Sequence, residues 1–277
     1  MKTSVRQRLL SAATILLLLA AVVFCNSFFP PALNIVLAVI SVMGIWELFS
    51  ALRLTKKLAL SVPSAILAAV LPFLPDSFAR GVAFFLYTVV LFSAMIRHHQ
   101  AITFREVAVI YSMTILIPTA LETLVGLRNL GGSHGMFYVI VTIFAAWAAD
   151  AGAYVFGSRF GKHKLCPNIS PKKTVEGVVA GVLVNIAMML LFGFIFQHIY
   201  WASTVSVHYG VLAAIGAFGA ALSVLGDLSF SLIKRSCHIK DFSEIIPGHG
   251  GILDRFDSVI FVAPFVYLLV QLFPIVG

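Results

Sequence analysis

Apolar residues run in long blocks along this chain, and the few polar residues collect between the blocks. Crossing the hydrocarbon core of a bilayer as a helix takes about 20 mostly apolar residues. Blocks of that kind lie near Leu9–Phe24, Leu33–Leu52, Leu60–Leu74, Phe78–Ile96, Val107–Leu127, Met136–Gly157, Val175–Phe196, Val207–Ile233 and Ile252–Val276. The pattern predicts an all-α, polytopic integral membrane protein with about nine transmembrane helices. The third block is short and carries Pro63 and Pro72, which predicts a kinked, tilted or re-entrant helix. The first follows the basic start MKTSVRQRLL and runs on without a small-x-small cleavage site, so it is expected to stay as an uncleaved span.

Composition supports this reading. Of 277 residues, 60% are hydrophobic and 11% charged, against about 25% charged in soluble domains. That leaves too little polar surface for a soluble fold. A net charge of +8 would suggest nucleic acid in a soluble protein, but here the cations sit in short loops between apolar blocks. Topology and anionic headgroups explain them better, and no nucleic-acid partner is expected. Cys25, Cys166 and Cys237 are scattered and odd in number, without zinc spacing, so free thiols are expected.

The cations alternate from loop to loop. Lys2/Arg6/Arg8, Arg53/Lys56/Lys57, Arg97/Arg105, Arg159/Lys162/Lys164/Lys172/Lys173 and Lys234/Arg235/Lys240 mark one side, while the intervening loops offer Arg80 and Arg128. This predicts a cytoplasmic N-terminus and an outside C-terminus, with the polar loops Gly157–Thr174 and Lys234–Gly251 in the cytoplasm. The bacterial inner membrane is the expected location. Glu47, Asp76, Glu106 and Glu122 lie in the first half, and Asp150, Glu176, Asp227, Asp241, Glu244, Asp254 and Asp257 in the second. The expectation is one membrane domain over 1–277, with 1–127 mainly scaffold and 128–277 the catalytic half.

The segment Ser231–Asp257, SLIKRSCHIKDFSEIIPGHGGILDRFD, stands out against its apolar surroundings. Charge at the edge of a lipid-embedded helix is costly and marks function. Asp254 and Asp257 share a helix face, and Asp227 nears the same membrane side at the end of the preceding span. Three such carboxylates suit a hard divalent cation, Mg²⁺ alone or with a second cation; the alternative is an ion-paired junction with Lys234, Arg235 and Arg255. His249 could donate to phosphate or cap a turn. Gly248, Gly250 and Gly251 at a helix start would leave backbone N–H groups open to anions. No GxxxxGK[ST] is present, so this is not a P-loop. Upstream, Ser170-Pro171-Lys172-Lys173-Thr174 before Glu176 reads as a capped helix start beside two lysines, which would attract phosphate or simply be solvated. Asp150 stays open between a structural and a functional reading; Glu47, Glu106 and Glu122 have no obvious partners and are expected to be structural.

With these residues in view, the chain resembles the CDP-diglyceride synthetases (phosphatidate cytidylyltransferases). Ser231, Lys234-Arg235, Lys240-Asp241, Ser243, Pro247, His249-Gly250-Gly251, Asp254-Arg255 and Asp257 fill every place of that family's signature, and FGKHKL…ISPKKTVEG from Phe160 to Gly177 also matches. The departures are Ala151 where a hydroxyl residue is common, Val175 where an aromatic is common, and Gly157-Ser158-Arg159 in place of Gly-Arg. The resemblance implies transfer of CMP from CTP to phosphatidic acid, in a membrane-lipid setting, to give CDP-diacylglycerol and pyrophosphate. It implies catalytic roles for Asp227, Asp254, Asp257, Lys234 and Arg235, with Asp227, Asp254 and Asp257 on the metal. Substrate binding would fall to Ser170, Lys172, Lys173, Thr174, Glu176, Lys240, Asp241, His249, Gly250, Gly251 and Arg255. A CTP-dependent kinase of a lipid alcohol and a transporter are the alternatives; self-association is left open.

Overall fold

A computed structural model describes residues 5–201, 204–246, 248 and 250–277, with side chains from Ala13 onward except at Ile15. Its α-helices are α1 (Val5–Cys25), α2 (Pro31–Ala51), α3 (Leu58–Val70), α4 (Ser77–Arg97), α5 (Phe104–Leu130), α6 (Gly135–Phe160), α7 (Val175–Ile195), α8 (Tyr209–Ser236) and α9 (Leu253–Leu272). The chain is thus a helical, polytopic membrane protein. Among the described residues, six helices are long and apolar enough to cross a membrane, namely α2, α4, α5, α6, α7 and α8, with α6 and α7 each counted with its short helical extension. At 13 residues, α3 is about 20 Å long, so it does not cross unaided, and a 3₁₀ turn at Leu71–Phe73 follows it. The opening turns of α9 carry Asp254, Arg255 and Asp257. One element was not expected: β1 (Lys164–Cys166) pairs antiparallel with β2 (Ser170–Thr174) in the loop between α6 and α7.

The chain divides into two compact units. The first holds Met1–Val125 together with Cys237–Arg255. Asp76 caps α4 by accepting from Ala79 N at 2.7 Å. The Ser64 and Tyr87 hydroxyls bond at 2.9 Å, those of Thr88 and Tyr111 at 2.9 Å, and the two tyrosine rings stack. These polar ties join α3, α4 and α5, where apolar packing against lipid supplies little driving force. Glu106 pairs with Lys57 at 2.7 Å and Glu122 with Arg80 at 3.1 Å, so both carboxylates have partners the sequence did not reveal.

The second unit holds Gly126–Ser236 and Phe256–Gly277. Its core is α6, α7 and α8. Glycine lets α6 and α7 approach closely: a Cβ on Gly181 would lie 2.7 Å from Ala149 O, and one on Gly177 2.7 Å from Ala153 O. Asn185, fully buried, ties the three helices by donating to Ala145 O and Gly216 O, each at 2.9 Å. The ninth apolar block is helical only to Leu272; beyond it, Ile275 O accepts from His208 N at 2.8 Å and Gly277 N donates to Ser206 O at 3.1 Å.

Candidate active site

In the second unit the hairpin decides which lysine matters. Lys172 is exposed, while Lys173 turns inward and sets its Nζ 2.6 Å from Asp227 Oδ2 and 3.7 Å from Asp150 Oδ1. Thr174 is the N-cap of α7, accepting from Gly177 N at 3.2 Å, as its place before the apolar run predicted. Glu176 does not close a capping box. Its carboxylate accepts from Lys162 N and His163 N and meets His163 Nδ1 at 2.6 Å, which anchors the start of the hairpin.

Asp227 is held by α8, and α9 approaches just beside it. A Cβ on Gly226 would lie 2.6 Å from Asp257 O and 3.0 Å from Ser258 Cα, so only glycine permits this contact. Ser258, almost fully buried, places its hydroxyl 3.0 Å from Asp150 Oδ2 and 3.4 Å from Asp257 Oδ1, and its N–H donates to Asp257 Oδ1 at 2.7 Å. Asp150, Asp227 and Asp257 interact electrostatically, as do Lys173 with Asp150 and Lys234 with Asp257. Lys234 is buried and Arg235 exposed at the end of α8. The result is a cluster of acids and amines from α6, β2, α8 and α9. Asp150, open between a structural and a functional reading, lies within this cluster. Ser258 was missed, and a lone serine in an apolar helix gave no signal for it.

In the first unit the signature loop is drawn together by two carboxylates. Asp254 Oδ2 accepts from Phe242 N and Gly251 N, both at 2.9 Å. Glu47, at 1% exposure, accepts from Ser243 Oγ at 2.5 Å and from Ile252 N and Leu253 N at 2.8 Å. At the loop's tip, Ile246 N donates to Gly250 O at 2.9 Å, with Gly248 and Gly250 at φ 79° and 82°. Glu47, for which the sequence offered no partner, therefore has three. Of the glycines expected to leave N–H groups open to anions, Gly251 does not, because Asp254 already accepts from it, and the next two N–H groups, of Ile252 and Leu253, are taken by Glu47. Lys240 and Asp241 are exposed, Ser170 and Arg255 half-buried. His249 lies outside the described residues.

Asp227, Asp254 and Asp257 each carry carboxylate oxygens, the donor type that hard divalent cations take. Among the described residues, no group of three or more His, Cys, Asp or Glu side chains is gathered around one ion position. Asp227 is engaged by Lys173 instead.

Fold and cluster together define a polytopic helical membrane protein whose polar residues are suited to anionic, phosphate-bearing substrates. Residues 6–273 match the cytidylyltransferase family, and the chain belongs to it. It is 35% identical over 243 residues to the phosphatidate cytidylyltransferase of Bacillus subtilis (strain 168), covering 83% of this chain and 87% of that protein. It is 42% identical over 133 residues to the protein of that name from Haemophilus influenzae, covering 48% of this chain and 45% of the relative. The Staphylococcus aureus (strain COL) protein of that name is 41% identical over 137 residues, half of each chain.

Proposed function

We propose that this chain transfers CMP from CTP to phosphatidic acid, releasing pyrophosphate and forming CDP-diacylglycerol for phospholipid synthesis. Family membership and the similarity to the Bacillus protein over most of both chains support this reading. The observation that carries it is the placement of Lys173 against Asp227 and Asp150, inside a cluster that also includes Asp257 and Lys234. A non-bridging oxygen of the phosphatidate monoester attacks the α-phosphorus of CTP. The bond from that phosphorus to the oxygen bridging to the β-phosphorus breaks, and pyrophosphate leaves with the electron pair. The ionised monoester needs no general base. The chain's task is to bring two polyanions together, so positioning and charge neutralisation dominate.

Lys173 and Lys234 hold phosphate oxygens within the cluster, while Lys172, Arg235 and Lys240 attract the polyanions from the exposed side. Asp227, Asp254 and Asp257 would hold Mg²⁺, which neutralises phosphate charge and polarises phosphoryl oxygens. The acyl chains enter sideways between helices, since they cannot cross water. The alternating cations support an inner-membrane setting, with the site and N-terminus cytoplasmic and the C-terminus outside.

The test is direct. Purified protein receives phosphatidic acid, radiolabelled CTP and Mg²⁺, and a cytidine-labelled lipid together with pyrophosphate is the expected product. A lipid alcohol phosphorylated with release of CDP would indicate the kinase instead, and ion or solute flux without nucleotide turnover would indicate a transporter.

A further inference from the structure

Glu47 lies far in sequence from every residue of the signature, near the end of α2, yet its carboxylate receives three hydrogen bonds from the signature loop. A buried carboxylate is tolerated when its oxygens are satisfied. Here two of the donors are N–H groups at the opening of α9, where the helix dipole adds to the attraction. The third is the Ser243 hydroxyl, which also accepts from Ile245 N at 3.3 Å. Glu47 therefore holds both ends of the loop, Ser243 on one side and Ile252–Leu253 on the other. Asp254 completes the closure by accepting from Phe242 and Gly251. Gly251 is part of this device: a Cβ there would lie 2.5 and 2.6 Å from the two carboxylate oxygens of Glu47.

We propose that Glu47 is a positioning residue for nucleotidyl transfer, fixing the opening of α9 and so the direction in which Asp254 is presented. This rests on the reading that the acids of α9 serve the reaction. Glutamine cannot replace it. Oε1 takes two of the bonds and Oε2 the third, so an amide NH₂ at either place would face an N–H or O–H donor. A loosened helix start displaces the acids it carries, and a shift of about 1 Å in catalytic geometry can cost on the order of a hundredfold in rate.

The experiment compares Glu47→Gln, Ser243→Ala and Ser243→Thr with the unaltered full-length protein in detergent or vesicles. Turnover is measured per folded molecule, and hydrogen exchange is followed in the peptide covering 242–254. Glu47→Gln is expected to lower kcat about ten- to a hundredfold with the KM for CTP changing less than about threefold, and to speed exchange at Gly251, Ile252 and Leu253. Ser243→Ala should produce a smaller loss, and Ser243→Thr, which keeps the hydroxyl, should restore most of it. If Glu47→Gln fails to fold, the serine pair decides the matter. Normal kcat in a folded Glu47→Gln protein overturns the proposal, whether or not exchange rises. So does equal loss in Ser243→Ala and Ser243→Thr. Failure of the underlying reading is separate: it would appear as full activity in Asp254→Asn.

Discussion

Lys172 and Lys173 are adjacent in sequence, yet their expected contributions differ widely. Lys173 keeps 18% of its side chain exposed and Asp227 25%, so their 2.6 Å pair is mostly shielded from water. Removing one partner of a buried pair costs about 3–5 kcal/mol in stability, and this partial exposure reduces the figure to roughly 1–3 kcal/mol. The kinetic effect should be larger than the structural one. A charge-assisted hydrogen bond to phosphate contributes about 1.5–3 kcal/mol, or about ten- to a hundredfold in rate or affinity. Lys173→Gln is therefore expected to lower kcat/KM by that factor, with a further penalty because Asp150 and Asp227 then repel each other without compensation. Lys172→Gln removes only an exposed charge, and its effect should stay below about threefold at physiological salt. The assay varies CTP and phosphatidic acid in turn for each variant, alongside a thermal melt in detergent. Equal losses in the two variants would refute the reasoning, because they would mean that the difference in burial and pairing does not sort the lysines. Loss in Lys173→Gln that tracks only the fraction of unfolded protein would also refute it.

Other expectations follow from the same geometry. Asp254→Asn should abolish turnover in a protein that still inserts in the membrane, since the amide leaves the carboxylate's charge missing; near-normal activity at saturating Mg²⁺ would remove Asp254 from the metal. Ser258→Ala should lower kcat about fivefold by freeing Asp150 and Asp257 from their shared hydroxyl, at the ~1 kcal/mol scale of one hydrogen bond; an unchanged rate would make Ser258 a packing residue alone. Gly251→Ala should impair folding or turnover as strongly as Glu47→Gln, because its Cβ would lie within 2.6 Å of both carboxylate oxygens; measured stability and kcat equal to those of the parent protein would contradict this. Cys166, half-buried in β1, should react with an impermeant thiol reagent from the cytoplasmic side; labelling from outside only would reverse the topology.

The helical membrane fold was legible because a run of about twenty apolar residues matches the thickness of a bilayer and suits little else. The signature was legible because charge is rare in such a chain and its residue types carry chemistry. What could not be read was partnership. Helices that are apolar all round show no period that orients them, so nothing in the sequence joined Asp150 to Lys173 or Ser258 to Asp150. The hairpin was hidden for a different reason. Its strands are short, Lys-Leu-Cys and Ser-Pro-Lys-Lys-Thr, with no sustained alternation of apolar and polar residues, so the 164–174 stretch looked like loop. Missing it made Lys172 and Lys173 look equivalent.

Glu47 shows where residue types mislead. A single acid in an apolar helix has two sequence-level readings, an ion pair or a protonated side chain, and no cation stands near it in sequence to favour the first. The structure supplies a third: backbone N–H groups of another segment donate to its oxygens. The same fact changes the meaning of the glycines. A glycine-rich turn before a helix suggests a cradle for phosphate, but Gly251 is small because a carboxylate already sits against it. An anion does bind at the start of α9, and it belongs to the protein. Under the proposed reaction, the N–H groups of Gly251, Ile252 and Leu253 are taken, and the inward-facing amines of the second unit, Lys173 and Lys234, are the expected phosphate ligands.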